Sequence, residues 1–400
     1  MTTRTIVRSW LALLLAIPTA FLAMWIIVPA PNATLLPLAV GAPEVSAWFL
    51  IAAGVALLVA LIDVRRRWTS RVACVLAVIT LGLSSIPFAR FRGVSTAADL
   101  AMRAAFGGTV LDSLNSARRD GFRASPLIIG ELFAPPRAPS SPIRVAHAIP
   151  FALIEGDTLV LDVYRPAAAG RFPVLVQIYG GAWQRGAPSN NAEFAEYFAA
   201  QGYTVFAIDY RHAPQFRFPA QRDDVRTALA WIGAHASEWD ADTARMVLVG
   251  RSAGAHLAML AAYAPDAPHI RGVINYYGPV DLVEGYRSPP RPDPLDVRDI
   301  EEKFLGAPPD SMMERYRAAS PITLVTRRLP PTLLIYGGRD HIVEPRFGTL
   351  LAQRLQAEHT TVVHVQIPWA EHAFDAVPYG PSGQLARYVA ERFLAWATTH

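Results

Sequence analysis

The sequence predicts an α/β protein, a mainly parallel sheet with helices on both faces, preceded by three transmembrane helices. Three observations point there. From about residue 143, short apolar runs alternate with helical patterns, the order of elements that builds a parallel sheet covered on both sides. One such unit, Arg245-Met246-Val247-Leu248-Val249, then Gly250-Arg251-Ser252-Ala253-Gly254, then Ala255-His256-Leu257-Ala258, reads as buried strand, sharp turn and helix. Ahead of all this, residues 10–28, 47–62 and 72–88 are apolar and carry no charge.

Composition agrees with a membrane part joined to a globular part. The chain has 400 residues, of which 52% are hydrophobic, more than an ordinary soluble protein carries. The net charge is only +4, Lys303 is the sole lysine, and no dense basic tract with interleaved aromatics occurs, so nucleic acid is not an expected partner. Cys74 is the only cysteine, which excludes an internal disulfide and a thiolate metal cluster.

Residues 10–28 are long enough at the helical rise to cross the hydrocarbon layer, with Pro18 kinking the helix, and 47–62 and 72–88 lie at the short end of the spanning range. Arg4 and Arg8 ahead of the first run also fit a cleaved signal, although the run exceeds a usual signal core and two more follow. Arginine bias sets the orientation. Arg4 and Arg8 precede span one, the next loop has no basic residue, and Arg65, Arg66, Arg67 and Arg71 fill the loop after span two. The N-terminus and the arginine loop are therefore expected in the cytoplasm and everything after residue 88 outside, in a multi-pass protein of the cell membrane. Arg90, Arg92 and Arg103 weaken that asymmetry.

The expected division is a membrane region over 1–92, a connector over 93–142 and a catalytic domain over 143–400. The connector holds one amphipathic helix, around 97–116, placed either on the membrane surface or under the catalytic domain. Its end is the proline-dense stretch 134–142, which cannot continue a helix or a central strand. In the last part, 158–164 alternates like an exposed edge strand, and 172–179, 203–209, 245–249, 272–276, 332–336 and 362–367 are further strands. Helices are expected at 191–201, 219–235, 345–358 and 383–398. Between two core strands, 281–331 is either an insertion covering Ser252 and shaping its pocket or a packing helix with a loop.

Ser252 sits where a sharp strand-to-helix turn would push its hydroxyl above the sheet, with Gly250 and Gly254 relieving the crowding. A serine hydroxyl needs a base to take its proton. In an open α/β sheet the working groups gather at strand ends, and His372 in Pro368-Trp369-Ala370-Glu371-His372-Ala373-Phe374 follows the last strand. His364 within that strand, His359 at a helix end and His256 on the helix of Ser252 read as structural. The imidazole needs a carboxylate to fix its tautomer. Asp340, after the strand and Gly337-Gly338-Arg339, is the first choice, Glu344 the reserve, and Glu371 reads as surface charge. Oxyanion donors are expected from the Ala253 N–H and from Tyr179-Gly180-Gly181-Ala182-Trp183, where glycine lets backbone approach a ligand.

Residues 145–400 resemble α/β-hydrolase esterases of the hormone-sensitive-lipase and related carboxylesterase groups. The matching stretches are YGGAW at 179–183, IDYRHAPQFRFPAQRDDV at 208–225, GRSAG at 250–254, GGRDHIVEP at 337–345 and AEHAF at 370–374. The resemblance implies an α/β-hydrolase fold, Ser252, Asp340 and His372 as triad, and Gly180, Gly181 and Ala253 lining the oxyanion site. It makes 209–214 and Asp223-Asp224 structural braces. Tyr179 stands where the family usually has histidine, and Ala182-Trp183 is similar to the HGGxW variant of feruloyl-esterase-like and formamidase-like members. That variant gives Trp183 a place in substrate binding and moves the expected substrate away from long-chain lipids. The expected protein is a membrane-anchored serine carboxylic-ester hydrolase whose partners are a small-molecule ester and the lipid bilayer, with no metal or organic cofactor. Acyl transfer or amide and formamide cleavage by the same residues is one alternative, and a membrane receptor with a hydrolase-like binding domain is another.

Overall fold

Small side chains let three N-terminal helices approach closely. In the computed structural model, which describes residues 3–117, 122–134 and 141–399, Ala12 and Ala16 of helix α1 (Thr3–Met24) meet Ala53, Ala56 and Ala60 of α3 (Ser46–Asp63) and Ala73 and Ala77 of α4 (Trp68–Phe106) in one buried seam. Small-residue seams of this kind hold helices together where lipid removes the hydrophobic drive. Leu11, Leu14, Phe21, Trp48, Val55, Leu58, Val75 and Ile79 point outward. All three helices are long and apolar enough to cross a membrane. Arg8 and Asp63 pair at one end of the bundle, 3.1 Å apart.

The boundaries differ from the expected ones in two ways. Helix α1 begins seven residues earlier than residue 10 and ends at Met24 rather than 28, continuing past Pro18 as expected, and the stretch after it folds back as α2 (Leu36–Glu44) before α3 begins. The third span and the connector helix are one element as far as Phe106: α4 has 39 residues, about 58 Å at the helical rise. That is about twice the thickness of a bilayer's hydrocarbon layer, so the helix is longer than a crossing needs, and its second half continues beyond the seam with α1 and α3. There it packs against the sheet domain. Phe91 lies 6.0 Å from Trp369, Phe106 stacks on Trp396 at 4.5 Å, and Tyr388 donates to Asp99 at 3.2 Å. The helix stops at Gly107, which has φ +87°, and α5 (Gly108–Ala117) turns back with Leu111 and Leu114 buried. The connector helix therefore lies under the domain, the second of its two expected placements. Pro135 to Ser140 of the proline-dense boundary lie outside the described residues.

The sheet has eight strands: β1 (Ile143–Ile154), β2 (Asp157–Pro166), β3 (Phe172–Ile178), β4 (Thr204–Ile208), β5 (Ala241–Arg251), β6 (Gly272–Tyr276), β7 (Thr332–Gly337) and β8 (Val362–Ile367). Their order is β1-β2-β4-β3-β5-β6-β7-β8. The pairs β1/β2 and β2/β4 are antiparallel and the other five are parallel. The expected edge strand at 158–164 is in fact the second strand. The edge is β1, whose periodicity is broken by Pro150 and by register shifts after Ala146 and Pro150, and whose face is largely exposed.

Between strands run α6 (Ala192–Ala200), α7 (Ala220–His235), α8 (Ala253–Tyr263), α9 (Leu282–Arg287), α10 (Val297–Leu305), α11 (Pro309–Ala318) and α12 (Arg346–Ala357), and α13 (Pro381–Thr399) follows the last strand. The central strands are buried on both faces, as parallel strands between helix layers must be. This is the α/β-hydrolase architecture, carrying three long apolar helices at its N-terminal side. The carboxyl ends of β3, β5, β7 and β8 open on one edge, and the candidate site lies there.

Candidate active site

Gly250 closes β5 against Ile178 of β3 and Asn275 of β6, so the chain must turn over crowded backbone. A Cβ at Gly250 would stand 2.3 Å from the Ala255 nitrogen, and one at Gly254 would stand 2.2 Å from the Ile178 carbonyl oxygen. Both positions therefore demand glycine. Between them Ser252 takes φ +52° and ψ −121°, which costs a non-glycine residue about 1–3 kcal/mol and holds the hydroxyl above the sheet edge. The Ser252 N–H donates to the Tyr276 carbonyl at 2.9 Å, fixing the turn on β6.

His372 reaches this hydroxyl from the loop after β8. Its Nε2 lies 3.0 Å from Ser252 Oγ, and its Nδ1 lies 2.7 Å from Asp340 Oδ2 in the loop after β7. The other oxygen of Asp340 accepts the backbone N–H groups of Ile342 and Val343 at 2.8 and 2.7 Å. Burial works against protonation of His372, and the charge and hydrogen bond of Asp340, with Glu371 and Asp375 behind them, overcome it, so the imidazole sits above its ordinary value. Burial also lifts the Asp340 carboxyl above the usual carboxylate range, against the pull of His372. The arrangement can pass a proton from hydroxyl to imidazole.

The oxyanion candidates lie beside it. Gly180 approaches so closely that an added Cβ would meet the Arg251 carbonyl oxygen at 2.6 Å and the Ser252 Cβ at 3.1 Å. Gly181 has φ +142°, and the N–H groups of Gly181 and Ala253 have no hydrogen-bond acceptor among the described residues. Tyr179, in the place of the usual histidine, donates its hydroxyl to Asp209 and stacks on Tyr210 at 4.4 Å, while Tyr210 donates back to the Tyr179 carbonyl at 3.2 Å. Arg211 and Asp224 form a buried bidentate pair at 2.9 Å next to them. Trp183 lines the pocket but is only 4% exposed: it stacks on Phe304 at 4.2 Å and gives its N–H to His256 Nδ1 at 3.2 Å. Its polar edge therefore serves the wall. His256 in turn faces the Ala319 carbonyl at 2.6 Å, and burial drives its pKa down to about 4.

The reserve and rejected candidates also find places. Glu344 pairs with Arg346 at 2.8 Å, and His364 lies in β8 near the Tyr336 ring. His359 lies in the turn after α12. Glu371 is a correction. It is 2% exposed and accepts the backbone N–H groups of His341 at 2.7 Å and His372 at 3.0 Å, so the charge expected at the surface ties together the loops of Asp340 and His372.

Sequence reasoning passed over a further group. Arg251, inside the turn itself, is buried between the rings of Phe194 and Tyr276 and donates to Asp375 at 2.5 Å. Asp375 also accepts from Tyr277, whose ring is 4.6 Å from the imidazole of His372. The signal was an arginine in an otherwise apolar strand end and an aspartate three residues after His372.

Above Ser252 opens a cavity of about 490 Å³. Asp281, Gly285, Leu295, Val297, Ile300 and Glu301 line it, so the stretch 281–331 shapes the pocket as one of its two readings expected. Glu301 is buried, its Oε2 has no hydrogen-bond partner among the described residues, and desolvation holds it well above the ordinary carboxylate value. Ala33, Leu36 and Pro37, from between the first two long helices, line the same cavity.

Residues 161–355 match the BD-FAE family. The chain is 32% identical over 258 residues to a probable carboxylic ester hydrolase, LipM, of Mycobacterium tuberculosis, covering 60% of this chain and 59% of that protein. It is 32% identical over 247 residues to esterase LipC of the same organism, covering 58% and 60%. The chain thus spans about 60% of the length of the curated relatives it matches. A solved bacterial heroin esterase shares 25% identity, with a TM-score of 0.55 over 67% of this chain and 87% of that one. Residues 161–355 of this α/β-hydrolase chain are thus similar to BD-FAE domains, and the fold to that of a solved esterase.

Proposed function

We propose that the protein is a membrane-anchored serine carboxylic-ester hydrolase. Ser252 Oγ attacks the ester carbonyl as His372 Nε2 takes its proton, and Asp340 orients the imidazole and stabilises its cation. The N–H groups of Gly181 and Ala253, with Gly180 leaving room for the approach, receive the oxyanion. His372 then protonates the leaving alcohol, and water, activated by the same imidazole, releases the acyl group from Ser252. The observation that carries the reading is the chain of contacts from Ser252 through His372 to Asp340, 3.0 and 2.7 Å, at the floor of the cavity. The esterase names of the relatives support the same chemistry.

Three long apolar helices with outward-facing leucine, valine and tryptophan support the anchoring. The arginines at 65–67 and 71 support a cytoplasmic position for the α3–α4 turn, and hence an extracytoplasmic one for the hydrolase part. Hydrolysis of p-nitrophenyl butyrate by the full-length protein in detergent tests the activity: turnover is expected, and Ser252→Ala lowers kcat by about 10⁶-fold. Wild-type protein that turns over no short ester would overturn the proposal.

A further inference from the structure

Part of the candidate active-site pocket comes from the membrane module. Ala33, Leu36 and Pro37 face the same cavity as Ser252 and His372, although more than two hundred residues separate them in sequence. The segment is fixed there. Arg339, next to Asp340, donates to the Ile27 carbonyl, and Glu44 accepts the Ser382 N–H at 2.9 Å. Within it, the Leu35 N–H donates to Asn32 Oδ1 at 3.1 Å, closing a local turn. At the same end of the long helices Ile27, Val28 and Trp48 are exposed. The pocket mouth therefore lies at the end of the apolar bundle, and its walls are largely apolar there: Leu36, Leu295, Val297, Ile300 and Phe347.

We infer that the segment between the first two long helices is a specificity element, and that the pocket takes amphiphilic esters whose hydrocarbon chain reaches it from the bilayer. This rests on the esterase reading and deepens it. It departs from the expectation drawn from Gly180-Gly181-Ala182-Trp183 alone, because that run contains nothing of the wall supplied by residues 33–37. The energetics favour delivery from lipid. A chain dissolved in water gains with every methylene it buries in an apolar pocket, but such chains are scarce in water. A chain already in the bilayer moves between two apolar surroundings, so little opposes its transfer when the mouth adjoins the membrane.

The test uses the full chain reconstituted in phosphatidylcholine vesicles, with 4-methylumbelliferyl oleate in the bilayer and 4-methylumbelliferyl acetate in the water. Wild-type protein is expected to cleave both. Ala33→Trp, at an exposed position that tolerates bulk, and Leu36→Asn, which makes the wall polar, are each expected to lower the oleate-to-acetate ratio of kcat/KM at least fivefold. Labelling of Ser252 by a fluorophosphonate reports that each variant is folded. A smaller change in the ratio for a variant that still labels, or wild-type cleavage of acetate with none of oleate, overturns the inference and leaves the esterase reading standing. Failure of wild type on both esters, with no label on Ser252, removes the esterase reading and this inference with it.

Discussion

Glu371 holds His341 through both carboxylate oxygens: Oε1 accepts the His341 backbone N–H at 2.7 Å, and Oε2 lies 2.7 Å from the ring Nδ1. Since His341 follows Asp340 and Glu371 precedes His372, this contact sets the spacing of the proposed acid and base. Glu371→Gln places an amide nitrogen against one of these donors. It is expected to lower kcat about tenfold with little change in KM, read from steady-state kinetics on a short ester. A fall confined to KM would contradict the positioning role.

The hydrogen bond with Glu371 raises the His341 pKa, outweighing its burial. The pair's contribution to stability is therefore full below the unfolded histidine value of about 6.5 and is lost as pH rises through the higher folded value. Urea midpoints compared at pH 5.5 and pH 8.5 should fall with pH more steeply in wild type than in His341→Gln.

For His372 the same direction of shift governs rate. Attack requires the neutral imidazole, and burial opposed and outweighed by Asp340 puts its pKa above the ordinary 6.5. The acid limb of kcat/KM is thus expected to have its midpoint above 6.5. Asp340→Asn should lower kcat by about 10⁴-fold, because the amide favours the wrong tautomer.

What could be read without coordinates follows from sequence distance. Ser252, Asp340 and His372 stood out as candidates because each follows a strand within a short, characteristic run, and the core strands stood out because parallel strands are continuously apolar. Strand β1 was hidden by Pro150 and by its exposure. Helix α4 looked like two elements because Arg90 and Arg92 interrupt the apolar pattern, yet arginine is a good helix former and the helix continues through both. Contacts such as Arg251 with Asp375, Tyr179 with Asp209, or Leu36 with the cavity join residues 30 to more than 200 positions apart. No local pattern announces such pairs.

Glycine at 254 is demanded by backbone on two sides, with the Ile178 and Tyr179 carbonyl oxygens 2.2 and 2.3 Å from an added Cβ. Gly254→Ala is expected to destabilise by about 3 kcal/mol. Gly233→Ala, on an exposed turn of α7 where an added Cβ would meet no other described part of the protein within 4 Å, should instead stabilise by up to about 1 kcal/mol. Denaturant midpoints distinguish the two, and equal effects would contradict the crowding at the turn.

Glu44 links the segment after the first long helix to α13, and burial raises its pKa to about 8 despite the hydrogen bonds from Ser382. Because the folded value exceeds the unfolded one, the folded state holds the extra proton, and stability falls as pH rises from about 4.5 to about 8. Glu44→Gln should remove that slope, measured as urea midpoints in detergent across pH 5 to 9. An unchanged slope would show that Glu44 does not carry it.

The most direct measurement is covalent. Full-length protein treated with a fluorophosphonate should gain one adduct, located by peptide mass spectrometry on Ser252, and the labelling rate should fall at least about 10³-fold in His372→Ala. Adduct formation at Ser252 that is indifferent to His372, or no adduct there at all, would contradict a serine activated by that imidazole.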